Sequence, residues 1–320
     1  LLLVDLNLIN YTHFINEVME NMVVFEVKVP AKCILAGEHL ILERGYAIVA
    51  PFNHYQLILS YEASKIKTMH TISAEGNNSY GIILWPLIVR AYELLHKDPS
   101  TIKGFFNIKS TIPPCCGLGF SAALCVAITK WIIYQSLLPR SELFQFAVQL
   151  EDLFHKPSSG VDIAGVTARN IIRYSSNHEL NEITTWQPLF YISSSNETRI
   201  TSSCVKKVQQ LKNENPIKAE VIYEKMWQAV SLINTALEKK NDISLHVLAQ
   251  GLTTANECYY EWDLISPQLH NHIQKLKQFA LACKVVGAGI GGCVLSLWKK
   301  PPPANFPIKL IPLTIHTEKV

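Results

Sequence analysis

The chain has 320 residues, 48% hydrophobic and 17% charged, so a sizeable core can form and disorder is excluded by composition. Its formal net charge of +3, with no basic stripe interleaved with aromatics, lacks the electrostatic footprint of a nucleic-acid binder. Eight cysteines (Cys33, Cys115, Cys116, Cys125, Cys204, Cys258, Cys283 and Cys293) form no CxxC pair and recur at no regular spacing, which argues against a disulfide framework or zinc site and for a reducing, cytoplasmic setting.

The opening LLLVDLNLIN has no basic leading region, is interrupted by Asp5 and carries no small-residue cleavage site, so no signal peptide is expected. Residues 1–22 read as an extension outside the fold. The β-branched run Val23–Val29 predicts a strand. Leu40–Phe52, with a turn at Gly45, predicts a hairpin, and Leu57–Tyr61 a further strand. Trp85–Leu95 has helical spacing, and Phe105–Ser110 is a short strand before a glycine-containing loop. Ser121–Leu137 predicts a buried helix, and Ser141 a cap for a helix over Glu142–Phe154. Lys156–Gly160 reads as a turn, followed by an apolar stretch over Ile163–Tyr174.

Pro188–Ser193 predicts a strand, with a boundary just before it, and Ser193–Ser203 a polar loop into a helix. Glu220–Glu238, Ser244–Asn256 and Pro267–Ala282 predict three amphipathic helices. Val285–Trp298 predicts two short strands around Gly287–Gly292, and Ile308–Thr317 a last strand after the Pro301–Pro303 linker. No apolar run is long enough to cross a membrane. Strands and helices mix without a βαβ repeat, which favours an α+β fold in two domains.

Pro113–Ala123 reads PPCCGLGFSAA. A loop that ends in a helix N-terminus presents unpaired N–H groups and the positive end of the helix dipole, where anions settle. Gly117 and Gly119 allow close backbone approach, Ala122 keeps the first helical turn compact, and Ser121 offers a hydroxyl to a phosphate or to Mg²⁺. The loop is neither a Walker A motif nor a Rossmann fingerprint. The plain alternative is a tight turn before a buried helix.

Three other stretches carry chemistry. Pro30–Glu43, PAKCILAGEHLILE, brings a lysine near a Gly-Glu-His turn, or is an ordinary edge strand and hairpin. Glu151–Asp162, EDLFHKPSSGVD, sets two carboxylates on either side of a turn, for Mg²⁺ and for a proton, or is a solvated helix end. Val285–Cys293, VVGAGIGGC, suits close approach to a ligand or to the first glycine loop, or is a glycine-rich hairpin.

In order and spacing the four stretches resemble the GHMP family of small-molecule kinases (galacto-, homoserine, mevalonate and phosphomevalonate kinases), over Val23 to Trp298. Within it the mevalonate kinase branch is the most similar: it shares Gly37-Glu38-His39, a segment like His155–Asp162, Arg-x-Thr at Arg199 and Thr201, and a stretch like Trp262–Leu269. Glu151 stands eleven residues before Asp162, the family's spacing of metal glutamate and catalytic aspartate.

The resemblance implies a ribosomal protein S5-like N-terminal domain over 23–186 and a ferredoxin-like C-terminal domain over 187–320. It implies ATP and Mg²⁺ as co-substrate and cofactor, a small alcohol as substrate, no nucleic-acid or membrane partner, and is compatible with a homodimer. Pro113, Pro114, Gly117, Leu118, Gly119, Ser121 and Ala122 would hold ATP, and Ser121 and Glu151 the metal. Asp162 would take the hydroxyl proton beside Lys32. Glu38, His39, Thr201 and Gly289 would grip the acceptor. The expected reaction is mevalonate to 5-phosphomevalonate. Phosphomevalonate kinase, another small-molecule kinase of the family, or a weakly catalytic ATP- or metabolite-binding regulator are the alternatives. Phe120, Ile290 and Arg169-Asn170 depart from the family pattern, which has a serine, a glycine and a Gly-Gly pair at these places.

Overall fold

The computed structural model describes residues 24–43, 45–63, 73–75, 80–154, 158–183, 186–197, 201–239 and 241–314. The proposed extension, His155–Pro157, Arg199 and the end of the last predicted strand lie outside the described residues. The fold is α+β, as the mixed order of elements predicts, and has two sheets.

The first sheet is built on a long antiparallel pair, β1 (Val24–Ala36) and β2 (Tyr46–Ala63). The sequence predicts a much shorter first strand. The reason is burial on both faces: Ala31 to Ala36 are all buried, so no apolar–polar alternation marks the strand's second half. Leu57–Tyr61 is not a separate strand either, because β2 runs unbroken through Pro51 and Asn53. The register shifts between Pro30 and Ala31, where proline lacks an N–H for the ladder. The turn between the strands is Gly37–Gly45, with a 3₁₀ turn at Leu40–Leu42, and so lies before the predicted hairpin's second half.

Along its other edge β2 pairs first with β5 (Ile172–Ser175) and then with β4 (Gly104–Ser110). Strands β3 (Ser73–Glu75) and β6 (Leu180–Glu182) complete the sheet. Helices α1 (Tyr80–Leu94), α2 (Phe120–Tyr134), α3 (Leu143–Glu151) and α4 (Val161–Thr167) belong to this half. Ser141 does not cap α3: it sits inside a 3₁₀ turn over Arg140–Glu142, and Glu142 occupies the cap position without a side-chain bond. The predicted Ile163–Tyr174 stretch divides into α4 and β5.

The second sheet is antiparallel, ordered β10 (Ile311–Pro312), β7 (Leu189–Ser194), β9 (Cys293–Trp298), β8 (Ala282–Val285). Four helices separate β7 from β8: α5 (Thr201–Glu214), α6 (Pro216–Glu238), α7 (Asp242–Glu261) and α8 (Pro267–Lys277). Asn215, Asn241 and Ser266 each accept a bond from a backbone N–H in the first turn of α6, α7 and α8. Those caps explain why α6 starts earlier than its amphipathic pattern implies. Helix α8 ends at Lys277, and Ala282 opens β8 instead. Among the described residues, no helix is long and apolar enough to cross a membrane.

Trp131 on α2 is 1% exposed, with its ring 4.8 Å from Phe106 and 5.2 Å from Tyr61. Helix α2 rests on the sheet through this cluster, and α2 is the helix that starts at the glycine loop. Trp131→Ala should cost about 3–5 kcal/mol. Urea denaturation checks this, and a loss below about 1 kcal/mol would refute the packing argument.

Candidate active site

Lys32 lies midway along β1 and is 2% exposed. Its Nζ is 2.6 Å from Asp162 Oδ1, on the first turn of α4. Its backbone N–H donates to Leu118 O at 3.0 Å, which ties β1 to the glycine loop. Its aliphatic stem passes between two glycines. A β-carbon at Gly119 would come 2.8 Å from Lys32 Cγ, and one at Gly165 would come 2.9 Å from Lys32 Cβ. Gly119 also caps α2 in the left-handed region, at φ +81°.

The glycine loop runs directly into α2. Ala122 is fully buried in the first turn of α2, and Ser121 is half-buried beside it. Helix α2 begins one residue earlier than predicted, at Phe120, whose ring packs on the core. Pro114 and Cys115 are exposed, and Pro113 and Gly117 half-buried. The third motif closes onto this loop, since a β-carbon at Gly292 would lie 3.1 Å from Cys116 O.

Glu151 ends α3 and is 2% exposed. Ser158 Oγ donates to its Oε2 at 2.7 Å, while its buried Oε1 has no hydrogen-bond partner among the described residues. Burial, then the charge of Asp162, pushes the Glu151 carboxyl up to about 8, against the pull of Ser158 and Lys32. The site thus holds one carboxyl group more than Lys32 can balance, and Glu151 keeps its proton in the absence of a further cation. A buried carboxylate oxygen without a donor, near a second carboxylate, is a fitting position for a hard cation.

The Gly37-Glu38-His39 turn meets the third motif. Glu38 Oε1 pairs with Lys284 Nζ at 2.5 Å and accepts from Gly287 N at 3.1 Å. His39 Nε2 is 3.0 Å from Ala288 O. Gly289 approaches Leu264 closely, where a β-carbon would be 2.7 Å from Leu264 Cβ, so this glycine has a packing reason of its own. Thr201 is the first residue of α5. The departures are accommodated: Ile290 N donates to Leu264 O at 2.7 Å, and Asn170 Nδ2 bonds Glu182 at 3.2 Å.

Sequence reasoning missed Lys284 and Ser158. A lone cation inside the apolar run ALACKVVGAG was the available sign for the first. Ser158 gave no sign beyond its place in a turn.

The family model for the GHMP kinases N terminal domain matches residues 86–169, the span from α1 through the glycine loop, Glu151 and Asp162. The chain thus carries the N-terminal domain of the GHMP kinase family. It is 25% identical to a mevalonate kinase of Archaeoglobus fulgidus, over 86% of this chain and 92% of that protein. It is 24% identical to one of Methanocaldococcus jannaschii, over 85% and 91%. In fold it is similar to the crystal structure of L. major mevalonate kinase in complex with R-mevalonate, with a TM-score of 0.72 at 22% identity over 87% of this chain and 88% of that one. The span matched by the family model holds the glycine loop, Asp162 paired with Lys32, and the buried Glu151.

The raised Glu151 carboxyl has a consequence for metal-free protein. Its folded value, near 8, lies above the ordinary 4.5. The folded state therefore holds this proton longer than the unfolded chain, so the group's stabilisation is complete below about pH 4.5 and is lost as pH rises through about 8. Thermal melts without Mg²⁺ should fall more steeply between about pH 6 and 8.5 for the native chain than for Glu151→Gln. Parallel slopes would contradict the assignment.

Proposed function

We propose that this chain phosphorylates the primary hydroxyl of a small metabolite with ATP, and that the acceptor is mevalonate, giving 5-phosphomevalonate. The observation that carries the reading is the Lys32–Asp162 pair, at 2.6 Å, beside the helix N-terminus that follows the glycine loop. Residues 23–186 would form the ATP-binding domain and 187–320 the domain that completes the site.

Phosphoryl transfer needs positioning and charge stabilisation more than covalent chemistry. The N–H groups at Gly119–Ala122, with the dipole of α2, hold phosphate oxygens. Glu151 and Ser121 are the residues that would hold Mg²⁺, which supplies charge neutralisation at those oxygens when bound. Asp162 is 26% exposed while its lysine partner is buried, so the aspartate can meet the acceptor and take its hydroxyl proton. Lys32 stabilises the negative charge that develops there.

Mevalonate is supported by the relatives named above, which are mevalonate kinases. The chemistry of the turn region agrees. Lys32 and Lys284, the buried lysines among the described residues, are each paired with a carboxylate. That arrangement favours an acceptor without a phosphate of its own over phosphomevalonate.

A coupled ADP-release assay with mevalonate, phosphomevalonate, homoserine and galactose tests the reading, with mevalonate expected to give the highest kcat/KM. ATP binding without ADP release from any acceptor would support a regulator instead. Asp162→Asn should lower kcat by about 10²–10⁴-fold while ATP binding persists. A near-native rate would remove Asp162 from its role.

A further inference from the structure

Lys284 is 0% exposed in β8, a strand buried along its whole length. Its three ammonium protons are matched by three acceptors: Glu38 Oε1 at 2.5 Å, Val285 O at 2.6 Å and Ile34 O at 3.2 Å. Nζ also lies 5.3 Å from the centre of the Tyr259 ring, and the Tyr259 hydroxyl donates to Gly287 O. Ile34 is two residues along β1 from Lys32. The same ammonium therefore fixes the strand that carries Lys32, the turn that carries Glu38 and the entry to the third glycine motif.

Glu38 is 5% exposed, and its two oxygens differ sharply. Oε1 receives Lys284 and Gly287 N, while Oε2 is buried with no hydrogen-bond partner among the described residues. Leaving such an oxygen bare is costly, and a buried ion pair gives little net stability to offset it. A ligand donor would complete the arrangement. Because Lys284 already neutralises Glu38, the matching group is an uncharged donor such as a hydroxyl.

We propose that Lys284 is a positioning residue of the acceptor pocket, holding Glu38 so that Oε2 receives a hydrogen bond from an acceptor hydroxyl other than the one phosphorylated. This rests on the kinase reading above and narrows the acceptor to a molecule with at least two hydroxyls. The turn beside Glu38 is held in the same manner, with His39 at φ +58° and its ring bonded to Ala288 O.

The test compares kcat and KM for the best acceptor and for its analogue lacking the second hydroxyl, in the native chain, Lys284→Met and Lys284→Met/Glu38→Gln. The native chain should prefer the full acceptor by about tenfold or more in kcat/KM, as a site built to bond a hydroxyl does. Lys284→Met leaves a buried carboxylate unpaired and should melt earlier. The double variant removes both charges and should recover the melting temperature. Its acceptor KM should stay raised about tenfold, its ATP KM should move less than about twofold, and its preference for the second hydroxyl should collapse.

A double variant with native acceptor KM and intact preference would make the pair purely structural and overturn the proposal. Equal use of the two acceptors by the native chain would overturn it without any variant, so a variant that fails to fold does not protect it. A native chain that releases no ADP with any alcohol would overturn the kinase reading and this inference together. Turnover without discrimination overturns this inference alone.

Discussion

The site depends on the passage of one lysine stem between two glycines. Lys32 reaches Asp162 because neither Gly119 nor Gly165 has a β-carbon to block it. Three elements are committed by that passage: β1 by the lysine, α2 by its left-handed cap, and α4 by the aspartate. The backbone bond from Lys32 N to Leu118 O adds the glycine loop. A side chain at either glycine would part the ion pair or the loop, so the two share a steric condition as well as a location.

Charge is distributed unevenly around that condition. Lys32 faces Asp162, and Lys284 faces Glu38, so each buried lysine has one carboxylate. Among the described residues Glu151 has only a serine donor on one oxygen, and its carboxyl is driven up by burial and by Asp162. Stability alone would select against such a group. Its persistence is intelligible if a cation sits there in the working state, since a bound ion inverts the local electrostatics. Ser158 holds the carboxylate from the far side of the turn and leaves the other oxygen open.

The parts legible in the sequence are those whose constraints are local. Gly117, Gly119 and the small residues after them form a loop and a helix start within a few positions, and Glu151 and Asp162 flank one turn. The missed parts are set by distant partners. The second half of β1 is covered on both faces and shows no alternation. Ser141 looks like a cap, but a 3₁₀ turn takes its place. Glu38 and His39 read as part of a polar turn near Lys32, whereas their partners, Lys284 and Ala288, lie 246 and 249 residues away. Nothing within a short window of sequence could pair them.

That difference in range bears on how the family can vary its acceptor. The glycine loop, the lysine and the two carboxylates lie on or beside β1, α2, α3 and α4, in the half built on the first sheet, where a change in one is resisted by its neighbours. The Glu38 turn is held by residues of β8 and the third glycine motif, from the other end of the chain. Changes in the α5–α8 helices or in β8 can therefore shift or remove the partner of Glu38 while Lys32, Asp162 and the loop stay in place. On the proposed reading, phosphate chemistry would follow from the first set of contacts and acceptor choice from the second. Among the described residues that second set keeps a buried carboxylate oxygen open, and both buried lysines are already matched, a combination suited to the proposed recognition of a hydroxyl rather than a phosphate.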